Sequence, residues 1–245
     1  MPFATILLLV NVGLILHAVR TGRFWPWFWV ILMLPGFGAL AYVVMELGPE
    51  FMGSRSGQRA QGQLAKAVDP KRRYRELAEN LAITDTIVNR VALARECFDL
   101  ENYEEALTIL TGVVAHPQGD EPAFFLDKAR AEHGLKKYAE ALATLDELKR
   151  HWPAYQSNEG HLLYAVTLEE LQRDAEAEAE YRALARAYPG VEPRVRLARL
   201  LQRRGSGDEA KTLAQAVVTE LRRSPKHVVK AQSDWLKVAE GIARG

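Results

Sequence analysis

Only one cysteine, Cys97, occurs in the 245 residues, so no disulfide can form within the chain. It falls in the apolar register of an expected helix, where a lone cysteine behaves as a small core residue. Charge of either sign is not in excess: 32 Lys and Arg oppose 31 Asp and Glu. That balance removes the basic footprint a nucleic-acid-binding protein needs, so no nucleic acid is expected as a partner. Gly-rich phosphate loops, Cys/His metal spacings and nucleophile motifs are also missing, so neither cofactor nor metal nor enzymatic activity is expected. Glu169-Glu170 and the run Glu176, Glu178, Glu180 read as exposed helix faces rather than as an acid and base pair. His151 and His161 flank a helix junction and read as structural.

A more local absence divides the chain. From Met1 to Leu47 the charged side chains are Arg20, Arg23 and Glu46 alone. Phe3 to Val19 and Phe24 to Met45 are apolar runs, each near the roughly 20 residues that cross about 30 Å of hydrocarbon as a helix. Arg20-Thr21-Gly22-Arg23 between them is polar and short enough for a turn, so residues 1–48 are expected to form a transmembrane helical hairpin in the lipid bilayer. Trp25, Trp27 and Trp29 at the start of the second run fit an interfacial aromatic belt. A cleaved signal peptide fits poorly, because no basic segment precedes the first run and no small-x-small site precedes the second. The first run is at the short end, which leaves open that it only dips into the bilayer. Two arginines lie between the runs, whereas Arg55, Arg59, Lys66, Lys71, Arg72, Arg73 and Arg75 follow them. That excess places the C-terminal region on the cytoplasmic side. Residues 49–69 are polar, Gly- and Gln-containing and basic, a tether whose charges either lie on anionic headgroups or stay solvated.

Leu34-Pro35-Gly36-Phe37-Gly38-Ala39-Leu40-Ala41-Tyr42, after an apolar helix and a basic turn, resembles the N-terminal membrane domain of cardiolipin synthases, also called the phospholipase D N-terminal domain. Pro35, Gly38 and Tyr42 match its proline, glycine and tyrosine. The resemblance implies an anchor in a bacterial inner membrane. It does not carry the synthases' lipid chemistry, since none of the six histidines opens a His-x-Lys-(four residues)-Asp motif.

Residues 70–245 are mixed in charge and repetitive. A short motif recurs around Ala106, Ala141, Ala177 and Ala210, at steps of 35, 36 and 33 residues. Such a period means stacked helical hairpins, because one hairpin cannot bury its apolar face alone. The pattern resembles the tetratricopeptide repeat. With Ile87, Pro122, Asn158 and Val191 opening the four units, the family's eighth-position small residues are Ala94, Ala129, Ala165 and Ala198. The twentieth-position ones are the four alanines above. Leu110, Leu145, Tyr181 and Ala214 hold the twenty-fourth position, and Pro153 and Pro189 the helix-ending proline in the middle two units. The fold class expected is therefore all-α: a two-helix membrane hairpin, then an α-solenoid of about four hairpins. A short helix from Tyr74 to Ile83 should pack on the first unit, with Thr84-Asp85 capping the helix that runs to Phe98. One helix from Lys226 to Arg244 should cap the far end.

In tetratricopeptide arrays the first helices line a groove. The resemblance places Arg95, Arg130, Val166 and Arg199 at one groove position, with His133 and Arg203 beside them. Three arginines on one face can take carboxylates or phosphates through paired hydrogen bonds. The family's chaperone-tail clamp of Lys and Asn is absent. The function expected is a membrane-anchored scaffold whose groove binds a protein or peptide. The alternative is a non-catalytic, lipid-associated factor that organises or regulates phospholipid synthesis.

Overall fold

A computed structural model describes residues 69–245 continuously. Before them it describes only positions 14, 15, 17, 19, 20, 29, 30, 37–42, 44, 45, 54 and 58. The chain divides into two compact units, Met1–Arg72 and Arg73–Gly245. In the first, Phe37–Tyr42 is helical, and no helix of the described residues is long and apolar enough to cross a membrane. Most of both apolar runs, Pro35 and most of the tether lie outside the described residues.

The second unit is built of helices: α1 (Arg72–Ile83), α2 (Ile87–Asp99), α3 (Tyr103–Val114), α4 (Pro122–Gly134), α5 (Tyr138–His151), α6 (Asn158–Glu170), α7 (Asp174–Ala187), α8 (Glu192–Arg203), α9 (Gly207–Arg223), α10 (Lys226–Ala231) and α11 (Ser233–Arg244). Successive pairs α2–α3, α4–α5, α6–α7 and α8–α9 form four hairpins, each packed on the next. First helices begin at Ile87, Pro122, Asn158 and Glu192, the spacing expected from the repeat to within one residue.

The alanines explain why the hairpins close. Ala94, Ala129, Ala165 and Ala198, and opposite them Ala106, Ala141 and Ala177, are fully buried, and Ala210 nearly so. With only a methyl group at each site the paired helices approach closely, and a larger side chain there would have to overpack. Leu110, Leu145, Tyr181 and Ala214 fill the next layer and are buried as well.

Each hairpin turns in the same way. Glu101, Lys136, Gln172 and Gly205 have φ of 56°, 60°, 58° and 84°, and each lies five residues before one of the repeating alanines. In the first turn Asn102 N–H donates to Cys97 O at 2.9 Å, and Glu101 N–H donates to Phe98 O at 3.1 Å. Equivalent pairs close the other three turns. This left-handed cap satisfies carbonyls that the ending helix leaves without partners. Three of the four turns adopt it without glycine.

Several local expectations change. Thr86, not Thr84 or Asp85, caps α2, accepting from Asn89 N–H at 3.2 Å. Asp85 instead holds Arg90 through two hydrogen bonds of 2.6 Å. α1 begins at Arg72 and has no buried residue. Tyr74 joins it to the first hairpin by donating to Glu105 at 2.6 Å, and Arg73 reaches Glu96 at 3.1 Å. The expected final helix is two. Gln232, with φ −108° and ψ 15°, separates α10 from α11. The bend lets Val228 and the Trp235, Leu236 and Val238 face rest on one core, with Ala239 and Ile242 buried.

Candidate functional site

The arginines expected to line a groove do not stand free. Arg95 Nε lies 2.8 Å from Asp127 Oδ2, and Arg130 Nη1 lies 3.2 Å from the other oxygen of the same carboxylate. Asp127 is 5% exposed, so one buried carboxylate joins arginines from the first and second hairpins. Arg130 also reaches the exposed Glu159 at 2.9 Å and lies 5.8 Å from the centre of the Phe98 ring.

A second cluster repeats this plan. Glu169 is 8% exposed and meets Arg203 at 2.8 Å and Arg199 at 3.5 Å. Tyr181, wholly buried, donates its hydroxyl to Glu169 at 2.6 Å. Arg203 also approaches Asp174 at 3.8 Å. Burial works against the charged form of Glu169. The hydrogen bonds from Tyr181 and Arg203, with the positive charges of Arg203 and Arg199, outweigh it and hold its pKa below the ordinary value. Burial together with the same hydrogen bond pushes the Tyr181 hydroxyl far up.

Glu169 was expected on a solvated face, and only its neighbour Glu170 is exposed. The reason is tertiary: two arginines from the fourth hairpin and a tyrosine from α7 converge on it. Val166 is likewise not a groove-lining group, since it is 8% exposed and belongs to the apolar core around Ala165 and Leu168. His133 stands edge-on to Tyr138, with ring centres 5.2 Å apart. Its Nε2 is buried without a hydrogen bond, and burial lowers its pKa, favouring the neutral ring. The structure thus gathers Arg95 with Arg130, and Arg199 with Arg203, into two clusters. Val166 sits in the core, and His133 is half-buried.

Sequence reasoning missed a cleft of about 510 Å³ where the second hairpin meets the third. Leu126, Leu145 and Leu148 line it with Trp152 and Tyr155 of the connecting loop and Tyr164 of α6. Phe125 packs edge-on against Trp152, with ring centres 5.0 Å apart, and fixes the indole. His161 Nε2 donates to Glu180 at 2.6 Å. Lys149 Nζ lies 4.1 Å from the centre of the Tyr164 ring and 3.7 Å from Glu180. Tyr164 donates to Asp146 at 2.9 Å, and burial with that bond pushes its pKa up to about 12. His161, read as structural, belongs to this cleft, and His151 packs edge-on against Trp152 with ring centres 4.2 Å apart. The aromatic residue before Pro153 was the available signal.

No family model matches the sequence, and no curated protein matches it. Solved structures do. A thermophilic TPR protein of Thermus thermophilus, TTC0263, aligns with a TM-score of 0.53 at 20% identity, over 74% of this chain and 95% of that one. MamA of Desulfovibrio magneticus RS-1, from residue 41 to its end, aligns with a TM-score of 0.57 at 17% identity, over 69% of this chain and 94% of the other. At such identities the likeness speaks for the fold, and it agrees with the four left-handed turns, the buried alanines and the hairpin spacing. The stack from α2 to α9 has the fold of a tetratricopeptide-repeat protein.

Proposed function

We propose that this chain is a membrane-anchored, non-catalytic adaptor whose repeat stack binds an acidic segment of a protein or peptide. The observation that carries the reading is the pair of buried carboxylates, each gripping two arginines. Asp127 and Glu169 are fixed in the fold and hold their guanidiniums in place. The outer partners Glu159 and Asp174 are more exposed, and surface ion pairs of that kind contribute little. An incoming carboxylate can therefore displace the outer partner while the buried one keeps the arginine oriented, so part of the ordering cost is met before binding. Arginine suits this exchange because its planar group offers several donors at once.

Anchoring rests on the apolar runs and the aromatic belt in residues 1–48, with the repeat stack on the cytoplasmic side of a bacterial inner membrane. The lipid-associated alternative draws on Pro35, Gly38 and Tyr42. The test is crosslinking and affinity capture of the full chain in its native membrane, beside a variant carrying Arg95→Glu, Arg130→Glu and Arg199→Glu. Loss of a specific partner in that variant supports the adaptor. A partner kept there but lost when an unrelated hairpin replaces residues 1–48 moves the function into the bilayer. No specific partner with either chain sinks the reading.

A further inference from the structure

The cleft between the second and third hairpins is lined by none of the clustered arginines or the carboxylates that hold them, although Leu126 and Asn158 adjoin Asp127 and Glu159 in the chain. Its volume falls within the range of small-ligand pockets. Its floor is apolar, and its shape is set by local chemistry. α5 ends at His151, and the Pro153 ring cannot continue the helix. Trp152 and Tyr155 are thereby turned into the wall of the cleft. Gly160 lets the first turn of α6 come down onto the floor: a Cβ there would lie 3.2 Å from Leu126 Cδ1.

The polar groups at this site are unequal. One oxygen of Glu180 is taken by His161 at 2.6 Å, and Lys149 stands beside the other without bonding it. At 3.7 Å from Glu180 it is outside hydrogen-bond reach, and it rests on the Tyr164 ring face with its donors unspent. Asn158, also lining the cleft, opens α6. Its N–H is among those at a helix start that no carbonyl within the helix can take, and the helix dipole there favours negative charge. Ser157 caps the helix through Gly160 N–H at 3.0 Å and leaves that first N–H unclaimed. The Lys149 ammonium and the first N–H of α6 are thus donors left open in the cleft, above an aromatic and aliphatic floor.

We propose that this cleft binds a carboxylate carried on an aromatic or branched apolar group. The apolar body enters between Trp152 and Tyr164, and the carboxylate meets Lys149 and the first turn of α6. A free aryl acid and the C-terminal residue of a peptide share this chemistry.

Fluorine NMR on the full chain in lipid nanodiscs tests it with three probes: 3-(4-fluorophenyl)propionate, an acetylated tripeptide ending in 4-fluorophenylalanine with a free carboxylate, and the C-terminal amide of that peptide. Saturable broadening is expected with the acids, and roughly tenfold weaker binding with the amide. Lys149→Met should weaken the acids about tenfold and leave the amide unchanged. Ala187→Trp, a change on the exposed rim of the cleft, should abolish binding of all three. Similar affinity for both acids would point to a small metabolite, and at least tenfold preference for the peptide acid to a protein C-terminus. Either supports the proposal. Absence of saturable binding, equal binding of acid and amide, or binding that survives in Ala187→Trp would overturn it. If Ala187→Trp fails to fold, judged by circular dichroism, Lys149→Met decides the matter alone.

Discussion

In the first hairpin the fully buried apolar side chains around Cys97 are Ala94, Ala106 and Leu110, joined to the second hairpin through Ala131. From Leu142 onward one continuous core takes in the third and fourth hairpins and reaches Ile242 of α11. Both ends use the same turn and the same alanine ladder. They differ in what closes the open face. α11 lies against α8 and α9 at the C-terminal end, whereas α1 touches the first hairpin through Tyr74 and Arg73 and leaves Ile83 and Val88 exposed. In a stack whose stability adds up from repeats and their junctions, the N-terminal hairpin should therefore open first.

The sharpest way to break that asymmetry is to cut the larger core. Tyr181→Ala removes a wholly buried ring and should cost about 3–5 kcal/mol. Hydrogen exchange should then accelerate from α6 through α11. Leu110→Ala should cost about 2–4 kcal/mol and free mainly α2 and α3. Equal spread of the two effects would show that the stack opens as one unit.

The two buried carboxylates allow a narrower comparison. Glu169→Gln keeps an acceptor for Tyr181 but removes the charge facing Arg203 and Arg199, a loss of about 1–3 kcal/mol. Asp127→Asn should cost less, because no buried hydroxyl depends on it. Urea midpoints of the two variants, at equal slope, measure the difference.

Acid separates the same elements by titration. Burial lowers the His133 pKa, so the unfolded chain takes up that proton more readily, and stability should begin to fall as the pH drops below 6.5. His133→Leu should remove this first decline. The Glu169 pKa is held below its ordinary 4.5, so its contribution is full above that value and is lost as the pH falls further. Glu169→Gln should lessen the second decline, to which Asp85, Glu176 and Glu220 also contribute, and leave the first. Melting temperatures across the acid range, from neutral pH to well below the ordinary carboxylate pKa, would show whether the two steps separate.

The smallest effects belong to the turns, where the two ends are alike. Gly205→Ala forces a Cβ into left-handed backbone and should cost about 1 kcal/mol. Lys136→Gly should gain roughly 0.5 kcal/mol, since relief of strain exceeds the entropy that glycine adds to the unfolded chain. A loss from Lys136→Gly would mean that its side chain matters more than its φ.

Much of the repeat stack was legible because its signals are local and periodic. The alanine spacing fixed the helix pairing, and Pro153 and Pro189 marked helix ends. Three left-handed turns were not legible, since Glu101, Lys136 and Gln172 carry no glycine to announce them. Thr86 was passed over as a cap because Thr84 and Asp85 offer the same chemistry just upstream. Of the groove set, the arginines were read from their recurrence, but Val166 came with them only by counting, and side-chain burial overruled the count.

By itself the sequence determined the all-helical hairpins from Ile87 onward, their number and the places where they close. A period of 33 to 36 residues with alanine at both contact positions leaves few other ways to bury apolar surface. Tertiary structure alone decided which charges are buried. Asp127 and Glu169 look like surface residues in one dimension, and their partners Arg95 and Arg203 lie 32 and 34 positions away. The stack brings each across one repeat, and a carboxylate can leave water only where such partners have already arrived.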